Sequence, residues 1–287
     1  MTTTELTADA TSRTLATPDG DLHYHEAGDG PPLLLVHGSG PGVSGWANFS
    51  GNLPLFAEHF RTLVLDLPGF GKSHGVEGSP VLEAPKAVLA FLDGLGIDQL
   101  AMVGNSLGGG VVAGLAASHP ERVSRLVTLG GVGVPFFSPL PSEGIVRLVE
   151  FVEEPTRDRL LAWMRSMVFD PAVLTDEFVE TRWAAASDPE AMAAIRTIYN
   201  RPMLDVLRPM MLGNPETLGM LGRITAPTLL TWGRDDRVTP LDGAIAPLRL
   251  IPRCELHVFP DCGHWAMIER KAEFESVVLS YLLRDRV

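Results

Sequence analysis

Gly104-Asn105-Ser106-Leu107-Gly108, which follows the apolar run Leu100–Val103, decides the reading of this chain. The run reads as a buried strand, the pentapeptide as a sharp turn carrying a serine, and the small residues from Leu107 onward as a helix. In such a turn the serine backbone is strained, and its hydroxyl projects above the end of the sheet. Glycines two residues to either side let strand and helix approach closely, where a side chain would clash. Free N–H groups at the start of the helix favour negative charge developing beside the serine. The pattern is that of a nucleophile elbow.

G-x-S-x-G alone is weak in a chain with 29 glycines, so its partners decide. A serine nucleophile needs a base and a group to orient it, and behind such an elbow they follow in the order serine, acid, histidine. Leu229–Gly233 reads as an apolar strand ending in Arg234-Asp235-Asp236. Leu256–Phe259 reads as another, followed by Pro260-Asp261-Cys262-Gly263 and then His264. Each candidate lies just past the C-terminal end of a strand, where open α/β sheets place their ligands. Singly, any of them is an ordinary loop residue; together and in this order they point to a hydrolase.

Composition excludes other classes. The chain has 287 residues, 45% of them hydrophobic, and a net charge of −12 from 35 acidic and 23 basic residues. No run of Lys or Arg offers the basic stripe that nucleic-acid binding requires. No apolar stretch reaches the roughly 18 residues needed to cross a bilayer. Met1 to Arg13 is polar and threonine-rich, lacks the features of a secretory signal, and reads as a mobile tail. Two cysteines, Cys254 and Cys262, make no disulfide framework, so a cytoplasmic location is the default expectation. Cys254, His257, Cys262 and His264 match no common zinc spacing, and no metal is expected. His257 reads as a packed strand histidine. Gly71-Lys72-Ser73 resembles a phosphate loop, but Asp66 stands where that loop needs its first glycine. Met164 and the pair Met210-Met211 read as core or pocket lining.

Along the chain, strands alternate with helices in the α/β manner: Leu22–Glu26, Leu33–Val36, Thr62–Asp66, a helix over Pro85–Leu95, the strand before Ser106, and Leu126–Leu129. From about Phe136 to Met220 amphipathic helical segments dominate, over Glu143–Val152, Arg157–Met167, Asp176–Ala186 and Pro189–Ile198. Alternation resumes at Thr228 and runs to a last helix, Ala272–Leu283. The expected fold is a mostly parallel α/β sheet flanked by helices, with core residues 14–135 and 221–287, a helical lid over 136–220 and a tail over 1–13.

The loop His37-Gly38-Ser39-Gly40-Pro41-Gly42-Val43-Ser44-Gly45-Trp46-Ala47-Asn48-Phe49 resembles one branch of the α/β-hydrolase superfamily, the meta-cleavage product hydrolases. Asn105 before the serine, Trp232-Gly233-Arg234-Asp235-Asp236-Arg237 and Cys262-Gly263-His264-Trp265 resemble the same branch, over about residues 21–284. These enzymes hydrolyse a carbon–carbon bond in 2-hydroxy-6-oxohexa-2,4-dienoates formed by ring opening. The resemblance implies Ser106 as nucleophile, His264 as base and Asp236, rather than Asp235, as its orienter. It implies an oxyanion hole from the N–H groups of Ser39 and Leu107, and a substrate pocket including Gly38, Asn48, Asn105, Arg182 and Trp265. It also implies no cofactor, an anionic small-molecule substrate, and a homodimer or larger homo-oligomer.

Helical spacing alone reads Arg182 as a solvated surface charge on Asp176–Ala186, with Phe178 one turn before it. The resemblance instead makes it the cation for the dienoate carboxylate, which a guanidinium can grip with two parallel hydrogen bonds. Its cleavage route begins with ketonisation of the dienol, His264 shuttling the proton; attack by Ser106 or directly by water needs the same residues. The acyl side is expected to draw on Phe136, Phe137, Leu140, Val152, Met164, Met167, Val168 and Met211. Met167 stands where aryl-accepting relatives tend to carry phenylalanine, and these adaptable side chains lean towards a bulky, polycyclic or steroid-derived group. Three rivals stay open: a carboxylesterase with the same triad, a cofactor-free haloperoxidase-like hydrolase, and a non-catalytic ligand receptor.

Overall fold

The computed structural model describes residues 6–133, 135–202, 204–205 and 215–284. Eight strands form one sheet: β1 (Ser12–Thr17), β2 (Gly20–Ala27), β3 (Pro32–Val36), β4 (Arg61–Leu65), β5 (Leu100–Asn105), β6 (Val123–Leu129), β7 (Thr228–Gly233) and β8 (Cys254–Phe259), in the order β1-β2-β4-β3-β5-β6-β7-β8. β2 runs antiparallel to both its neighbours, β1 and β4, and the remaining pairs are parallel. The parallel strands are covered on both faces, which is why they read as continuous apolar runs: Leu33 to Val36 are fully buried, and every residue of β5 and β7 is buried. Strand order reverses between β3 and β5, so a crevice opens beyond their C-terminal ends.

Short helices α1 (Ala8–Thr11), α2 (Gly45–Phe49) and α3 (Leu53–Ala57) precede the long α4 (Pro80–Gly94), and α5 (Leu107–Ser118) follows β5. α4 starts a turn before the expected Pro85, because Pro80 already fits a first helical position. Between β6 and β7 lie α6 (Glu143–Glu153), α7 (Arg157–Met167), α8 (Asp176–Ala186), α9 (Pro189–Ile198) and a helix over Pro215–Leu221. Thr156, Thr175 and Asp188 cap α7, α8 and α9 by accepting N–H groups of their first turns, which stops each helix running into its neighbour. The last helix spans Lys271–Leu282. Among the described residues no helix is long and apolar enough to cross a membrane.

The expected tail over 1–13 is too long. Ala8–Thr11 forms a helical turn, and Ser12 begins β1. Thr11 Oγ1 bonds His25 Nδ1 at 2.9 Å and Ser12 Oγ bonds His23 Nε2 at 2.8 Å, which anchors the segment to two buried rings. β1 had no apolar alternation to announce it; its pairing with β2 creates it.

His23 also donates from Nδ1 to Asp66 at 2.8 Å, and the Asp66 carboxylate accepts the N–H groups of Gly45 (2.6 Å) and Lys72 (3.0 Å). Here the glycine-rich run after β4 is a structural turn. Gly71 has φ +57°, and a Cβ on it would lie 2.1 Å from Asp66 Oδ2. Burial pushes the pKa of His25 down to about 4 and lowers that of His37. In the unfolded chain both rings titrate near ~6.5. As pH falls through that value the unfolded state takes up protons that the folded state refuses, so stability present at neutral pH is lost progressively towards pH 4. Urea unfolding at pH 7.5, 6, 5 and 4.5 is expected to show this decline, with a shallower slope in His25→Gln. Identical slopes in the two proteins would refute the assignment to His25.

Candidate active site

Ser106 sits between β5 and α5 with φ +51° and ψ −117°, outside the regions that L-residues favour. Strain of this kind is worth of order 1–3 kcal/mol and persists only where surroundings enforce it. They do so here: the Ser106 N–H donates to Leu129 O at 2.8 Å. Gly108 passes so close to β3 that a Cβ would lie 2.3 Å from Val36 O. Leu107, first residue of α5, has an N–H with no partner inside the helix.

His264 follows β8, and Asp236 follows β7. The His264 Nδ1–H donates to Asp236 Oδ2 at 2.7 Å, both side chains being essentially inaccessible to solvent. With Nδ1 carrying the proton, Nε2 is left free to accept one. Asp236 is itself held by the N–H groups of Val238 (2.7 Å) and Thr239 (2.9 Å) and by the Thr239 hydroxyl (2.9 Å). Thr239 was not foreseen from the sequence. An acid followed by a turn whose N–H groups fold back onto it was the available signal. Asp235 instead faces Arg234 at 3.2 Å.

Ser106 and His264 line one cavity of about 250 Å³, together with Gly38, Ser39, Asn48, Asn105, Leu107, Met167, Arg182 and Trp265; Asp236 stands behind His264. The serine, histidine, loop and polar-pocket residues expected from the sequence thus converge on one place, with Asp236 behind them. A model of the α/β-hydrolase fold family matches residues 31–271. A 2-hydroxy-6-oxo-6-phenylhexa-2,4-dienoate hydrolase of Burkholderia cepacia is 35% identical over 97% of this chain and 99% of its own. A 2-hydroxy-6-oxononadienedioate/2-hydroxy-6-oxononatrienedioate hydrolase of Klebsiella pneumoniae is 38% identical over 96% of each. The solved structure of a meta-cleavage product hydrolase from Pseudomonas fluorescens superposes with a TM-score of 0.84 at 28% identity, covering 94% of this chain and 96% of that one. The chain belongs to the meta-cleavage product hydrolases of the α/β-hydrolase family.

In this meta-cleavage product hydrolase the loop after β3 is built around its own amides. Gly38 N–H donates to Asn48 Oδ1 at 3.0 Å, which fixes the orientation of that amide and leaves its NH2 group without a partner among the described residues. A Cβ on Gly38 would lie 3.3 Å from Ser106 Cβ and 3.1 Å from Asn105 Oδ1, so glycine keeps the space above the serine open. Asn105 makes one long bond, from Nδ2 to Leu129 O at 3.4 Å.

Arg182 is not a surface charge. It is 4% exposed on α8, and burial lowers its pKa to about 10. Its only hydrogen bond is a long one, 3.4 Å to Pro41 O, and no carboxylate pairs with it among the described residues. Its guanidinium lies 5.7 Å from the ring centre of Phe178 and 5.6 Å from that of Trp265. Two aromatic faces attract a cation but do not replace a counter-ion.

The acyl-side expectation needs correction. Met167 lines the cavity, beside Ile145, Leu148 and Val238. Phe136 and Phe137 are 59% and 92% exposed, because Asp242 accepts their N–H groups and turns the loop outward. Val152, Met164 and Val168 are buried in the core instead, and Leu140 lines a smaller neighbouring hollow. Met210 and Met211 lie outside the described residues. His257 is on β8 as expected, half-buried against Phe259. Glu269 was missed: it accepts the N–H groups of Gly263 (2.8 Å), Phe169 (2.6 Å) and Asp170 (3.3 Å), tying the His264 turn to the chain leaving α7.

Proposed function

We propose that this enzyme hydrolyses the carbon–carbon bond of a 2-hydroxy-6-oxohexa-2,4-dienoate, releasing a 2-hydroxypentadienoate and a carboxylic acid. The observation that carries the reading is Arg182, a buried guanidinium without an acidic partner among the described residues that lines the same cavity as Ser106 and His264. An uncompensated buried charge is unfavourable unless a ligand of opposite sign completes it. An ester needs no such cation, and neither does a haloperoxidase-like reaction.

In this reading Arg182, Asn48 and Asn105 hold the carboxylate and the 2-oxygen while His264 moves the proton that converts dienol to ketone. Ser106, its proton passed to His264, attacks the distal carbonyl, and the oxyanion is met by the N–H groups of Ser39 and Leu107. The carbon–carbon electron pair leaves as a dienolate, which the ketonised form stabilises. Water then hydrolyses the acyl-enzyme. A cavity of about 250 Å³, at the small end for small-molecule sites, with Ile145, Leu148, Val238 and Met167 on its wall, supports a compact apolar acyl group over a polycyclic one. The chain's cysteine usage supports action in the cytoplasm, and its family supports a homodimer or larger assembly.

Purified protein assayed against alkyl, phenyl and polycyclic dienoates, with 4-nitrophenyl acetate alongside, tests the reading. Rapid loss of the dienolate absorbance with the alkyl or phenyl compound is expected. Ester turnover with all dienoates untouched would replace it by a carboxylesterase, and neither activity with tight ligand retention by a receptor.

A further inference from the structure

The loop that carries Ser39 is held from two directions. On the core side, Leu67 N–H donates to His37 Nε2 at 3.0 Å, so His37 carries its proton on Nδ1 and donates it to Gly38 O at 2.5 Å. On the other side, the inserted helices reach down to it. Arg182 of α8 touches Pro41 O, and Trp163 of α7 lies where a Cβ on Gly40 would be, 2.6 Å away. Tyr199, at the C-terminal cap of α9, places its hydroxyl 2.6 Å from Ser39 Oγ.

That last contact is of a different kind. It joins side chains 160 residues apart, both lining the cavity, and it is the single hydrogen bond made by either hydroxyl among the described residues. Ser39 itself is 3% exposed. Burial raises the pKa of the Tyr199 phenol, so it keeps its proton. A hydroxyl pair at 2.6 Å is a short bond in a water-poor setting, where directional contacts hold geometry best. A backbone N–H acts on a developing oxyanion only if it is aimed before the reaction starts. Among the described residues nothing else on the inserted helices hydrogen-bonds the side chain of Ser39.

We infer that Tyr199 is a positioning residue: through Ser39 Oγ it sets the oxyanion loop, so that seating of the inserted helices and assembly of the oxyanion hole are one event. The inference rests on the reading that the Ser39 N–H is an oxyanion donor, and it applies to any acyl transfer at Ser106.

Tyr199→Phe keeps the ring and deletes the link, and Ser39→Ala deletes the same link from the other end while keeping the backbone N–H. Both are expected to lower kcat for 4-nitrophenyl acetate by about tenfold, a fraction of what loss of a whole donor causes, with KM changing little and the thermal midpoint held. The double variant is expected to be no slower than either single one, since each removes the same bond. Ester kcat within twofold of the unmodified enzyme in Tyr199→Phe would overturn the inference. So would losses that multiply in the double variant. The ester readout stands whether or not dienoates are cleaved, so failure of the carbon–carbon reading and failure of this one are seen separately.

Discussion

Ser106→Ala is expected to abolish hydrolysis of 4-nitrophenyl acetate, with kcat falling by roughly 10⁴-fold or more, as removal of a serine nucleophile from a triad does. The expectation rests on backbone as much as side chain. Ser106 is held at φ +51° by a bond to β6 and by glycine packing against β3. Alanine adopts the same strained conformation, so the fold should survive and the loss should be chemical. Dienoate cleavage in the same variant separates two routes. Acyl-enzyme formation predicts a loss as deep as that of the ester, and direct attack by water predicts a measurable residue. Ester hydrolysis within tenfold of the unmodified enzyme would remove Ser106 from the mechanism.

Arg182→Gln carries the second large effect. Removing the one Lys or Arg that lines the cavity among the described residues should lower kcat/KM for the dienoate by roughly 10²–10³-fold, in line with losing a charge-assisted bond in a desolvated site. Ester hydrolysis should change less than about threefold, because that substrate has nothing for the guanidinium to hold. Arg182→Lys should not restore the dienoate reaction, since an ammonium lacks the planar fork. Stability supplies an independent check. Arg182 has no acidic partner among the described residues, and relieving a buried uncompensated charge should leave the urea midpoint unchanged or raised. Equal losses on both substrates together with a lowered midpoint would make the arginine structural.

Much of this site could be read from the chain because its chemistry is tied to strand ends. Ser106, Asp236 and His264 each follow an apolar strand, and the parallel sheet brings such ends together whatever the intervening segments do. The bounds of α7, α8 and α9 were equally legible as helical segments, and in the structure each starts behind a Thr or Asp cap. What escaped depends on how those helices lie on the sheet. Tyr199 is an aromatic residue at a helix end, and no periodicity states that its hydroxyl meets Ser39. Glu269 reads as one more surface acid until the chain after α7 is seen to pass over it. Phe136 and Phe137 misled for the opposite reason: they are apolar and adjacent to the lid, but three N–H bonds to Asp242 turn their loop to solvent. Spacing specifies which residues share a face; it does not specify which face another element will cover.

β6 and β7 are neighbours in the sheet, although roughly a hundred residues separate them along the chain. Closing so long a loop is entropically dearer than closing a ten-residue turn by only about 2 kcal/mol, because the penalty grows with the logarithm of length. It is nevertheless a non-local contact of the kind that slows folding. Ser106 belongs to the part of the chain before that closure, whereas Asp236 and His264 belong to the part after it. The proposed nucleophile and the proposed base thus come from opposite sides of the inserted helices. Because the β6–β7 ladder carries Asp236 and His264 back to the end of the sheet where Ser106 stands, assembly of the site depends on that one long-range pairing.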